Sequence, residues 1–110
     1  MSWNIVTLPK ARRDFFAALD YLSGFYPSTP RNFMRAYAKA EQQIADNPYS
    51  YSVYPGLSGL RRAFAGKYLV FYAIIEETKT VRIHRIIRAS WNISNILKEQ
   101  ENKPEEPNEP

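Results

Sequence analysis

The residues best equipped for chemistry are cationic and crowd the second half of the chain: Arg61, Arg62, Lys67, Arg82, Arg85 and Arg88, with the single histidine, His84, among them. A guanidinium offers five donors in a rigid fork and stays protonated, and with the Lys67 ammonium this set can grip phosphates or carboxylates. His84 is the side chain that titrates near neutrality. Its arginine neighbours disfavour the charged form, and a solvated or hydrogen-bonded strand histidine is the plainer interpretation. Trp3 and Trp91 can fill a core or stack on a base. Tyr49, Tyr51 and Tyr54 either pack down the loop that carries them or form a partner surface. Cysteine is absent, which removes disulfides and thiolate metal sites. No metal and no cofactor are expected.

The charge is unevenly spread. The formal net charge is +4, but residues 98–110 hold two lysines against five glutamates, which leaves +7 on residues 1–97. A field of that sign attracts phosphate-rich partners or an acidic protein, and it also serves simply to keep a surface soluble. A length of 110 residues with a hydrophobic share of 45% fits one small domain with an adequate core. Residues 98–110 have no apolar side chain to bury and read as an acidic, disordered tail. The apolar run from Trp3 to Leu8 is too short for a signal-peptide core or a membrane span, so a cytoplasmic protein without membrane association is expected.

The elements that must position these residues follow from periodicity. Ser2–Leu8 ends at Pro9 and reads as a strand at or near a sheet edge. Leu8, Ala11, Phe15, Leu19 and Leu22 recur every three or four residues, one apolar stripe on a helix that stops near Ser23 and Gly24. A second helix is expected to start near Pro30, capped by Ser28 or Thr29, with a stripe of Phe33, Tyr37, Ala40 and Ile44 and an end at Asn47-Pro48. From there to Gly59 the prolines and glycines predict a structured loop without regular elements. Three strands follow: Leu60–Ala65, Tyr68–Ile75 and Thr80–Ile87, with turns at Gly66-Lys67 and Glu76–Lys79. The middle one is nearly continuous apolar, as a central strand is. The last alternates, Val81, Ile83 and Ile87 on one face and Arg82, His84 and Arg88 on the other, with Arg85 and Ile86 breaking the pattern. Ser90 can cap a short terminal helix docked by Ile93, Ile96 and Leu97. The fold class is α+β, in the order β-α-α-β-β-β. A helical hairpin packs on one face of a four-stranded, mainly antiparallel sheet whose other face gathers the positive charge.

With the elements in this order, residues 3–97 resemble the RelE/ParE toxins of type II toxin-antitoxin systems, and more closely the ParE branch. The resemblance rests on Gly59-Leu60-Arg61-Arg62, a glycine-containing turn, the string Tyr68-Leu69-Val70-Phe71-Tyr72, a charged hairpin turn and Val81-Arg82-Ile83-His84-Arg85-Ile86-Ile87. Asn47-Pro48 closing the second helix also fits. The resemblance implies a toxin domain over residues 1–97 and a cognate antitoxin, acidic and partly disordered, that wraps over it, with higher-order toxin-antitoxin assembly left open.

One branch of these toxins cleaves messenger RNA at the ribosome; the ParE branch is associated with poisoning DNA gyrase, and the fold does not choose between them. The ribonuclease implies basic residues on the sheet face and an aromatic or histidine beyond the last strand. Arg62 fills the second-strand slot. The early third-strand arginine falls at Tyr68 or Leu69. Arg88 is followed by Ala89 and Ser90 where a further arginine is expected, and the tyrosine position reads Asn95, with Trp91 able to stack but not to exchange protons. ParE relatives tend to carry a histidine and a paired arginine where this chain reads Arg88-Ala89-Ser90. The incomplete set favours a growth-inhibiting toxin that binds gyrase without catalysis, meeting target or antitoxin through Arg61, Arg62, Lys67, Arg82, Arg85 and Arg88. The alternatives are a metal-independent messenger-RNA endoribonuclease using Arg62, Arg88, Trp91 and His84, and a degenerate member that only binds its antitoxin.

Overall fold

In the computed structural model, which describes residues 2–55, 59–91, 93, 96 and 97, the two apolar stripes become helices α1, Pro9–Leu22, and α2, Ser28–Asp46. Pro9 opens α1 where a missing N–H breaks no intrahelical bond. The Ser23 N–H closes it on the Leu19 carbonyl at 3.0 Å. α2 begins two residues before Pro30 and lacks the expected hydroxyl cap: Pro27 takes the N-cap position with helical backbone, φ −56° and ψ −27°. The ring already holds φ in the helical range, so the helix grows directly from it, and Pro30 still lies in the first turn. At the far end Asn47 leaves the helix with extended backbone. Its side-chain oxygen accepts the Tyr49 N–H at 3.2 Å and starts a 3-10 turn over Pro48–Ser50, in a segment expected to be irregular throughout.

The strands are β1, Asn4–Thr7, β2, Arg61–Ala65, β3, Tyr68–Ile75, and β4, Thr80–Arg88, in the spatial order β1-β4-β3-β2. β2 and β4 flank β3 antiparallel, and β1 joins β4 in parallel with Ile5 opposite Val81. As expected, β3 is central, buried from Tyr68 to Tyr72, and β1 lies at the edge. Gly66, with φ +62°, makes the β2–β3 turn; Lys67 keeps negative φ, the combination a type II′ hairpin requires.

The broken alternation of the last strand has a backbone cause. Tyr72 pairs with Ile83 but Phe71 pairs with Arg85, so His84 is an extra residue, a bulge in β4. The bulge returns Ile86 to the side of Val81 and Ile83, beneath the helices, and sends Ile87 to the other side. The expected grouping of Ile87 with Val81, and of Arg88 with Arg82, is thereby reversed beyond the bulge.

The core beneath the helices joins Ala11, Leu22, Phe33 and Ile44 to Val70, Tyr72, Val81 and Ile83. Each fully buried large apolar side chain contributes roughly 1.5–3 kcal/mol. The sheet face away from the helices is not given over to positive charge, which corrects that expectation. Leu69, Phe71 and Ile87 form a second buried cluster there with Ile93 and Leu97, edged by Tyr54 and Leu60. β3 and β4 carry apolar side chains on both faces, and both faces need a cover. Ile93, Ile96 and Leu97 have helical backbone; the rest of the expected terminal helix and the tail over 98–110 lie outside the described residues.

Candidate functional site

The six basic residues expected to meet a target do not gather on one surface. Arg62 and Arg82 occupy the sheet face away from the helices. Arg62 projects from β2 with its guanidinium 5.0 Å from the Phe64 ring centre and 5.5 Å from that of Tyr54. Phe64 is half-exposed, and Tyr54 stands edge-on to Phe71 at 5.1 Å. Arg82 is exposed on β4. Arg62 pairs with Phe71 and Arg82 with Ala73, so the two arginines lie diagonally across β3, about 12 Å apart from a strand spacing of ~4.8 Å and a rise of ~3.3 Å per residue. Two cations, with the exposed Phe64 ring beside Arg62 on the side away from Arg82, can hold an acidic or phosphate-bearing partner.

Arg61 and Arg85 are engaged within the fold. Arg61 donates to the Tyr51 carbonyl at 2.6 Å and lies 5.2 Å from the Tyr49 ring centre, which ties the loop after α2 to the start of β2. The Tyr51 hydroxyl in turn donates to Gln43 at 2.6 Å. Arg85 forms an ion pair with Asp14 of α1 at 2.7 Å, in a setting where both side chains are largely buried. His84, the bulge residue of β4 opposite β3, is half-buried.

Lys67 and Arg88 meet at the end of the sheet where the β2–β3 turn faces the α1–α2 connection, and both line a groove there. Arg88 turns to the helix side and lies over the rings of Tyr21 and Tyr68, at 5.3 Å and 5.5 Å. Trp91, half-exposed, is edge-on to Tyr68 at 6.5 Å. The Ala89 N–H donates to the Lys67 carbonyl at 2.9 Å, closing the end of β4 on this turn. Phe25 and Tyr26, in the connection between the helices and outside both apolar stripes, also line the groove. The signal for them is two large aromatics placed just past a helix end, where no stripe exists to bury them.

The loop tyrosines and Trp3 serve chiefly to pack. Trp3 lies against the core and meets Tyr49 edge-on at 6.0 Å, with the Lys79 ammonium 4.8 Å from its ring centre. The Tyr72 hydroxyl donates to the Pro48 carbonyl at 2.6 Å. Burial pushes this phenol up to about 12, against the opposing pull of the Arg61 charge. Tyr37 is pushed up as well, first by burial and then by the neighbouring Glu41 carboxylate.

Arg62, Arg88, Trp91 and His84 do not converge on one cleft. Arg88 and Trp91 share Tyr68 on the helix side, Arg62 lies on the opposite face, and His84 occupies the bulge. Among the described residues these four side chains form separate contact surfaces. Among the described residues no group of three or more His, Cys, Asp or Glu could hold a metal ion. No described helix is long and apolar enough to cross a membrane.

A family model described as the ParE toxin of type II toxin-antitoxin system, parDE, matches residues 5–92. No curated protein sequence matches the chain. Among solved structures, the chromosomal ParDE system of P. aeruginosa aligns with TM-score 0.67 and 15% identity, over 81% of this chain and 98% of that one. The RelBE2 toxin-antitoxin complex of Mycobacterium tuberculosis aligns with TM-score 0.61 and 23% identity, over 80% and 99%. A variant of the E. coli toxin RelE in the free state aligns with TM-score 0.61 and 10% identity, over 94% and 100%. At such identities these structures share the fold.

Proposed function

Because the chain belongs to the ParE toxin family of type II toxin-antitoxin systems, we propose that it arrests growth in the cytoplasm by binding DNA gyrase, has no catalytic site of its own, and is silenced by a cognate antitoxin. The observation that carries the non-catalytic reading is the dispersal of Arg62, Arg88, Trp91 and His84 over two faces and a bulge. A phosphoryl-cleaving site needs its acid, base and charge-stabilising groups within hydrogen-bond reach of one phosphate. A binding site needs only a surface, and Arg62, Phe64 and Arg82 supply one with both charge and exposed aromatic area. The antitoxin is an acidic protein, complementary to the +7 of residues 1–97. The solved RelBE2 and ParDE assemblies pair toxins of this fold with antitoxins, which supports such a partner.

Induction of the chain in cells tests the assignment. Gyrase-dependent DNA breaks together with growth arrest are the expected result. New messenger-RNA ends within codons, mapped by primer extension, would instead establish the ribosome-dependent endoribonuclease. Absence of any arrest, with the antitoxin complex still forming, would leave a chain that only binds its antitoxin.

A further inference from the structure

The groove at the β2–β3 turn, about 340 Å³ in volume, is separate from the face assigned to gyrase. Phe33 and Tyr68 line it from the core, and Phe25 and Tyr26, 56% and 78% exposed, line it from the α1–α2 connection. Lys67 and Arg88 supply its charge. Aromatic surface of this extent in water marks a binding region more often than a plain exterior. The Tyr68 hydroxyl is buried and has no hydrogen-bond partner among the described residues, a state that buried phenols rarely keep.

The sequence holds a segment of matching chemistry. Pro104, Pro107 and Pro110 recur every three residues, with Glu105, Glu106 and Glu109 between them. Three residues is the period of the polyproline II helix, and in that conformation, with its rise of ~3.1 Å per residue, the three prolines would fall along one edge about 9 Å apart. Proline edges dock on aromatic grooves because the helix is preformed and little entropy is lost on binding. The glutamates on the other edges match Lys67 and Arg88 in charge. The leash is sufficient. Leu97 belongs to the same buried cluster as Leu69, the residue next to Tyr68. From Leu97 to Pro104 the chain advances seven residues and can span about 23 Å when extended, against about 20 Å for the two layer spacings from the cover of the far face to the helices, enough to reach the groove past the Gly66-Lys67 turn.

We propose that this groove is a docking site for an acidic proline-repeat segment and that its occupant is residues 104–110 of the same molecule. Docking covers Phe25 and Tyr26 and sets the free toxin in competition with any acidic partner for Lys67 and Arg88. Carbodiimide coupling of carboxylates to adjacent amines in the full chain, read by peptide mass spectrometry, tests it. The expected product joins Lys67 to Glu105, Glu106 or Glu109, at a yield independent of protein concentration. That yield is expected to fall at least fivefold in the triple variant Pro104→Ala, Pro107→Ala, Pro110→Ala, which leaves every charge in place and touches no residue of the folded core. Coupling to Lys10, Lys39 or Lys79 as often as to Lys67, or full yield in the triple variant, would overturn the proposal. A yield that rises with concentration would overturn the assignment to the same molecule. Amide resonances of Phe25, Tyr26 and Lys67 provide a second measurement: they are expected to move between the full chain and the triple variant, and unmoved resonances refute docking.

Discussion

Asp14 and Arg85 meet side-on, Nε to Oδ2 at 2.7 Å and Nη2 to Oδ1 at 3.1 Å, and the same Oδ2 accepts the Ile86 N–H at 2.9 Å. β1 has ended at Thr7 and the chain has turned into α1, while β4 runs on to Arg88. The carboxylate stands in for the carbonyl that a longer β1 would have offered. Removing Asp14 takes this carboxylate from a largely buried guanidinium and leaves the Ile86 N–H without its acceptor. Asp14→Ala is therefore expected to cost about 2 kcal/mol, below the range for fully buried pairs because both side chains keep some solvent contact. Asp14→Asn, which keeps one acceptor, should cost less. Urea unfolding measures both, and a loss under about 0.5 kcal/mol for the alanine variant would show that the pair contributes no more than an exposed one.

Stability should fall with alkali in a definite window. Burial pushes the Tyr72 phenol up to about 12 from its ordinary 10.0, and Tyr37 is displaced in the same direction. A folded-state value above the unfolded one means that the folded protein holds its proton more tightly. The resulting stabilisation is complete below pH 10 and is lost as pH rises from there toward 12, because the unfolded chain ionises first. Tyr72→Phe is expected to flatten this decline and, at neutral pH, to cost about 1 kcal/mol for the lost bond to the Pro48 carbonyl. Denaturant midpoints at several pH values between 8 and 12 measure both effects. An unchanged alkaline slope in the phenylalanine variant would refute the role of this phenol.

The arginines should separate into those that hold the fold and those that serve the target. Arg82→Ala, on an exposed side chain, is expected to change stability by less than about 0.5 kcal/mol while weakening growth arrest. Arg61→Ala frees the Tyr51 carbonyl and the Tyr49 ring and is expected to cost about 1–2 kcal/mol. Thermal unfolding paired with a plating assay distinguishes them, and full toxicity in an Arg62→Ala, Arg82→Ala double variant would remove this face from the mechanism.

Gly66 carries the β2–β3 turn at φ +62°, and a Cβ there would meet nothing within 4 Å. The cost of Gly66→Ala is then backbone strain alone, about 1 kcal/mol, which for a domain of this size lowers the melting temperature by roughly 4–8 °C. A melting temperature unchanged within 1 °C would mean that the turn relaxes to another type.

The element order, the central place of β3 and the edge place of β1 were legible in the sequence because hydrophobic period and proline position determine them locally. The bulge was visible only as a symptom. Arg85 and Ile86 broke the alternation, but one strand read alone cannot say whether the break is a polar residue in the core or an inserted residue. The pairing of Phe71 with Arg85 across β3 decides that. The same limit hid the roles of the arginines. Arg61 and Arg85 look like surface cations until the Tyr51 carbonyl and Asp14, distant in sequence, are brought beside them. The second apolar cluster was half legible, since a strand as apolar as β3 must be covered on both sides, yet Leu69, Phe71 and Ile87 name no cover by themselves.

The parallel pairing of Asn4–Thr7 with Thr80–Ile83 has a consequence for how the molecule comes into being. A ribosome delivers β1 first, and β1 has nothing to pair with until β4 emerges. The central strand likewise lacks one flank until then. A long loop must close before this contact returns any free energy, which makes the fold slower to form than a helical bundle built from local contacts. The sheet of such a toxin stays incomplete until β4 is made, which leaves the interval of translation for a neutralising partner to be in place.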